Sequence, residues 1–131
     1  MKSILLLFLV LISTASLSQE ALSTANGKII IDIFMNGYKT GDTLKMKSVM
    51  HSNMTMQRAY LDKEQQNVLI YIKPSDLLKY AATTGQNQEW EEKLTDYVVS
   101  SDGNLAHVWT PYEFYTDGKF SHCGANSLTL V

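Results

Sequence analysis

LAHVWTPYEFY-TDGK-FSHCGANSLTLV, residues 105–131, is the stretch that decides the fold. Two long runs rich in β-branched and aromatic residues flank Asp117-Gly118, a pair that tolerates the positive φ of a type I′ turn. The stretch therefore reads as one long β-hairpin. A second Asp-Gly pair, Asp102-Gly103, precedes it and follows a third β-rich run over 91–101. The expectation is a three-stranded antiparallel meander over 91–101, 104–116 and 119–131.

Register follows from the turns. With Asp102-Gly103 as a two-residue loop, Ser101 pairs with Asn104, Val99 with Ala106 and Tyr97 with Val108. The last four make an apolar face suited to lie under helices. With Asp117-Gly118 as the second loop, Phe114 faces Ser121, Glu113 faces His122 and Tyr112 faces Cys123. Unbroken alternation then turns Leu128 and Leu130 to the wrong face, and one extra residue repairs them. Pro111, which cannot donate to a ladder, and Gly124 are the two candidates for that bulge. A bulge at Pro111 turns Glu113 and His122 inward, whereas one at Gly124 leaves them outward with Trp109. Under either, they stay cross-strand neighbours.

Upstream the period changes. Leu22, Ala25, Ile29, Ile30, Ile33 and Phe34 are spaced as one stripe of a helix over 20–38. Asp42 suits an N-cap for a short helix over 43–50. Residues 54–60 alternate as a strand, and Val68 to Ile72 is a short β-rich run. Pro74 opens a third helix over 75–84 with Gly85 at its stop. Helices gathered before a meander give the α+β class. Met46, Met50, Met54 and Met56 read as fillers of core gaps.

The N-terminus is read apart from the fold. Lys2 and the apolar run of about nine residues from Ile4 to Ile12 have the form of a signal peptide, too short to span a bilayer. Residues 13–18 are small and polar, which puts the mature start near Gln19. An uncleaved anchor is the alternative. Residues 1–18 are thus taken as the signal and 19–131 as one domain, which makes the protein periplasmic or secreted with no membrane contact after cleavage. Removing Lys2 takes the formal charge from -2 to -3. The charges are scattered, with no basic stripe for nucleic acid. The single cysteine, Cys123, cannot close an intramolecular disulfide. It reads as a small buried strand residue, with a dimer-bridging or reactive thiol as the alternative.

GYKTGD, residues 37–42, and AHVWTPYEFYTDGKFSHCG, residues 106–124, resemble the secreted bacterial members of the nuclear transport factor 2-like superfamily, in the branch labelled lumazine-binding. The resemblance covers nearly the whole mature chain. It implies a cone-like curved antiparallel sheet wrapped around three N-terminal helices, with a pocket at the open end and dimerisation through the sheet. Relatives on this scaffold include ketosteroid isomerase, scytalone dehydratase, polyketide cyclases and non-catalytic binders. Relatives run on past Ser127–Leu130 into one more strand, so the resemblance implies a longer chain or a sheet short of that strand. The acidic base of ketosteroid isomerase-like relatives has no counterpart here.

Among residues able to carry chemistry, Glu113 and His122 come first. A carboxylate bonded to an imidazole fixes its tautomer and raises its basicity, which makes a general base near neutral pH. An ordinary cross-strand charge pair is the plainer reading. Trp109, Tyr112 and Phe114 offer rings to stack on a flat guest or to fill a core. Tyr38 and Tyr60 supply hydroxyls at the rim. His51 sits at the end of the second helix, where positive charge is favoured, and joins the candidate ligand set. The three histidines lie on different elements without metal-ligand spacing, so neither metal nor cofactor is expected. The functional expectation is an exported domain binding a small aromatic or apolar ligand. An isomerase, dehydratase or cyclase activity through Glu113 and His122 would extend it. The alternative is an interaction module that dimerises or docks a partner through its sheet face.

Overall fold

The computed structural model describes residues 22–83 and 89–131. The signal-peptide reading, the start of the first helix at residue 20 and the Gly85 stop lie outside them. The elements run α1 (Thr24–Thr40), α2 (Thr43–Lys47), β1 (Met56–Leu61), β2 (Asn67–Ile72), α3 (Pro74–Thr83), β3 (Trp90–Leu94), β4 (Val98–Asp102), β5 (Leu105–Thr116) and β6 (Lys119–Leu130). This is an α+β arrangement of antiparallel sheets with a few helices.

Local chemistry sets the helix ends. Ser23 caps α1 by accepting from the Asn26 N–H at 3.2 Å. At its C-terminus Gly41 takes φ of 71°, a left-handed cap that a residue with a Cβ adopts at a cost. Asp42 then caps α2, as its sequence position suggests, by accepting from the Lys45 N–H at 2.9 Å. A helix of five residues is too short to persist alone. It is held because α1 approaches it at Gly37, where an added Cβ would lie 2.9 Å from the Met46 side chain. Met46 is fully buried with Leu77 and Ala81 of α3, and Phe34, Tyr38, Met56 and Ile72 pack around them. The methionine thus fills the junction of three helices and the root of the β1–β2 hairpin.

β5 is the centre of the larger sheet. β6 lies along one of its edges; β3 and β4 share the other. The run expected over 91–101 is therefore broken. Leu94 pairs with Tyr112 and Val98 with Trp109, so the partner of β5 carries one extra residue between them. The break lies beside Pro111, whose carbonyl accepts from both the Thr95 N–H at 2.9 Å and the Thr95 hydroxyl at 3.2 Å. Proline does mark an irregularity, but on the β3–β4 side.

The first turn sits one residue further on than expected, with Asp102 opposite Leu105 around Gly103-Asn104. Val99 therefore faces Val108 and Ser101 faces Ala106. The slide moves both partners by an even total, so Val99, Ala106 and Val108 keep the expected inner face. α1 lies on that face. Its Gly27 has room for a methyl, and for little more, against Val99, Val108 and Leu130.

The second turn forms as expected. Asp117 and Gly118 have φ of 49° and 72°, with Thr116 opposite Lys119. The bulge demanded by the leucines is present too, at neither expected place. Tyr115 pairs with Phe120 and Phe114 with His122, leaving Ser121 over. Leu128 and Leu130 consequently face Val108 and Ala106. Gly124 has another task. It sits opposite Tyr112, whose ring lies so close that an added Cβ would be 2.6 to 2.9 Å from its atoms.

Gly124→Ala must therefore push the Tyr112 ring off β6. We expect a loss of about 1–3 kcal/mol of stability from that overpacking, read as a lower denaturation midpoint at unchanged slope.

Candidate functional site

The bulge at Ser121 decides what meets on the inner face. Because Phe114 faces His122, Glu113 faces Cys123, and the two members of the expected catalytic pair are on opposite faces. Glu113 instead accepts from the Tyr115 hydroxyl at 2.7 Å, and that bond raises the Tyr115 pKa. Cys123 is exposed beside it, not buried. Trp109 also lies on the outer face, opposite Val98 and Ser127, and is 46% exposed. His51 is engaged locally, its Nδ1 accepting from the Asn53 N–H at 3.1 Å.

Tyr60 is exposed on β1 beside Arg58, apart from the others, whereas Tyr38, Tyr112, Phe114 and His122 do come together. Phe114 stacks on His122 with ring centroids 4.9 Å apart, and Tyr112 meets the same imidazole edge-on at 6.0 Å. On the other side Phe114 stacks on Trp90 at 5.7 Å, with an angle of 7° between the planes. Tyr38 of α1 closes the row against Trp90 at 4.9 Å. Tyr38, Trp90, Phe114 and Tyr112 are half-buried, and His122 is exposed at the end of the row. The result is a wall of rings across three strands.

Glu92 belongs to this wall and was not among the residues singled out from sequence. It pairs with Phe114 on β3, between Trp90 and Leu94 on the inner face. Its carboxylate accepts from the Asn126 amide of β6 at 2.7 Å. Burial pushes its pKa up; the Asn126 bond and the charge of His122 pull the other way without cancelling it. A half-buried carboxyl biased toward its neutral form beside stacked rings is the arrangement that acid–base chemistry uses. Tyr38 is driven up to about 12, first by burial, then by Tyr80 and Glu92, with Arg58 opposing. Burial also raises Tyr112, with Glu92 adding to it and Arg58 opposing. Both phenols therefore stay protonated as hydrogen-bond donors.

An open cleft of about 250 Å³ separates this part of the sheet from α1, with Met35, Asn36 and Lys39 on one side and Trp90, Glu92 and Leu94 on the other. One end is tied by the Lys39–Glu91 ion pair at 2.9 Å. At the other, Asp32 accepts from both Lys28 and the Tyr97 hydroxyl. Burial works to raise Asp32, but those two bonds and the Lys28 charge hold it below its usual value. Among the described residues, no group of three His, Cys, Asp or Glu side chains is placed to hold a metal ion. No helix among them is long and apolar enough to cross a membrane.

Comparison with known protein families, curated proteins and solved structures gives no match.

The raised pKa of Glu92 has a thermodynamic consequence. Between the unfolded value near 4.5 and the higher folded value, the native state binds the proton more tightly, so its stability rises as pH falls. Above the folded value the ionised carboxyl is held at full cost. Glu92→Gln is therefore expected to be more stable than the parent at pH 7.5, with the advantage shrinking as pH falls toward 4.5. Urea titrations across that range check it, and a gap that widens on acidification would contradict it.

Proposed function

We propose that the protein binds a small, flat, aromatic or apolar organic molecule against the Tyr38–Trp90–Phe114–His122 wall. The observation that carries this reading is the wall itself. Stacked, partly open rings with one half-buried carboxyl beside them suit a planar guest, since apolar surface supplies affinity and a few polar groups fix orientation. The order of elements, with helices and a hairpin before a meander, supports the cone-like nuclear transport factor 2-like architecture that the sequence resemblance implies. An exported domain, periplasmic or secreted, is the setting proposed from the N-terminal sequence.

The chemistry this site offers its guest is proton transfer without a cofactor, of the isomerase, dehydratase or cyclase type. Glu92 replaces Glu113 as the proposed acid–base group. It is near the rings, partly desolvated and oriented by Asn126. His122 provides a stacking surface and a second ionisable group on the same face.

A second reading concerns the outer face. Val98, Leu105, Trp109 and Phe120 are between 46% and 59% exposed there, and they suit a homodimer through the sheet. Trp109→Glu separates the two readings, because it should abolish dimers in sedimentation without touching the wall.

The test of the leading reading uses 2-naphthamide, a neutral fused-ring probe, followed by tryptophan fluorescence. Phe114→Ala should weaken its binding about tenfold, the loss of an edge-on ring contact worth up to ~1.5 kcal/mol, since Trp90 and His122 take the two faces of Phe114. Trp109→Ala should leave it unchanged. Absence of binding, or equal sensitivity to the two substitutions, would remove the proposal.

A further inference from the structure

Asp32 and Lys39 on α1 and Glu92 on β3 are the acids and bases that line the cleft between helix and strand. Asp32 and Lys39 are neutralised within the fold. Asp32 pairs with Lys28 and accepts from the Tyr97 hydroxyl, while Lys28 sits 4.5 Å from the centroid of the Tyr97 ring. Lys39 reaches Glu91 at 2.9 Å. Glu91 alternates with Trp90 and Glu92 along β3, so the Lys39 charge is drawn toward the other face of the strand. Glu92 has no such partner. The ion pairs among the described residues are Lys28–Asp32, Lys39–Glu91 and Lys79–Asp76, and none of them contains it. The Asn126 amide donates to Glu92 Oε1 at 2.7 Å, and no described residue donates to Oε2. His122 bears on Glu92 as a charge without pairing with it, and its Nδ1 meets the Ser121 hydroxyl at 3.1 Å.

A half-buried carboxyl without a counter-ion is costly in its charged form, because the water it loses is not replaced by a cation. The position that would relieve it is open. Glu92 lines the cleft between Trp90 and Leu94 on the inner face of β3, with Met35 and Asn36 on the opposite wall. Trp90 stands two residues from it, about 7 Å along the strand. The faces of Trp90 are taken by Phe114 and Tyr38, so a guest at that end of the wall meets its edge. From there a one-carbon substituent reaches the carboxyl. An anionic substituent would meet an uncompensated carboxylate, and a neutral one would leave it unpaired. A cationic one completes the pattern that the other charged groups of the cleft already follow.

We propose that the guest of the ring wall is a flat aromatic molecule carrying a short ammonium arm, and that the Glu92 carboxylate receives the ammonium inside the cleft. This rests on the ring wall being the binding site and adds the charge class of what it holds. The ammonium donates to Oε2 while Asn126 keeps Oε1, a charge-assisted bond in a place that water reaches only in part. Such a partner favours the ionised carboxyl, so it lowers the pH at which Glu92 takes up its proton, and a neutral guest does not. The titratable groups that face Glu92 are Tyr38, Asp32 and Lys39 of α1, Tyr97 beside β4, Tyr112 of β5 and His122 of β6.

The experiment compares 2-naphthylmethylamine, an ammonium at pH 7.5, with 2-naphthamide, which puts a neutral group at the same ring position. The parent protein should bind the ammonium roughly tenfold more tightly than the amide, the scale of one charge-assisted pair. Glu92→Gln should bring the ammonium down to the affinity of the amide. Glu113→Gln, which removes the same charge from the outer face, should keep the preference. Circular dichroism and the denaturation midpoint report whether each variant is folded. Should Glu92→Gln fail to fold, the carboxyl carbon of Glu92 followed by NMR in the parent decides, since its titration midpoint should fall with the ammonium bound and should not fall with the amide. Equal affinity for ammonium and amide in the parent, a preference that Glu92→Gln leaves intact or that Glu113→Gln removes equally, or a Glu92 midpoint that the ammonium does not lower, would overturn the role of Glu92 and leave the ring wall standing. Failure of both probes to bind would overturn both.

Discussion

Ser121 has no partner across the β5–β6 ladder, and the orientation of every β6 side chain beyond it follows from that one surplus residue. Side chains in a strand alternate, so a one-residue slip exchanges faces for the whole remainder of the strand. With the slip, His122, Gly124, Asn126, Leu128 and Leu130 turn toward the helices. Without it, Cys123 and Ala125 would face inward, the leucines would meet water, and Asn126 could not reach Glu92. The apolar seat of α1 and the polar anchor of the ring wall thus share a single cause.

Packing then divides the long sheet. At the Leu105 end, Ala106, Val108 and Thr110 are buried beneath α1, with Gly27 letting the helix come close. At the other end an open cleft lies between the helix and β3, and the inner face carries rings beside it. The break between β3 and β4 falls between these regions, where Pro111 interrupts the donor pattern of β5. Two different demands on one sheet, close contact with a helix and an open aromatic surface, are met by changing its partner strand midway.

Much of this was legible from residue chemistry. The Asp117-Gly118 turn declared itself because two adjacent residues had to accept positive φ. The leucines at 128 and 130 declared that a bulge had to exist, because their burial is worth more than an unbroken ladder. Its position could not be read, since serine has no conformational signature and the obvious candidates, Pro111 and Gly124, answer to other neighbours. Pro111 acts on β3 and β4; Gly124 makes room for Tyr112. Either expected position pairs Glu113 with His122, whereas the surplus at Ser121 separates them and turns Glu92 and Asn126 toward each other. Glu92 lies in WEEKL, where a glutamate reads as solvated until register shows which neighbour points inward.

The division of the sheet also bears on how this protein can change over time. Substitutions at Ala106, Val108 or Gly27 disturb the joint that keeps the chain folded, and few side chains fit there. Trp90, Phe114 and His122 stack in a row that meets the helices at Tyr38. That row can vary while the packed half stays intact, so changes there cost the chain less stability than changes at the joint.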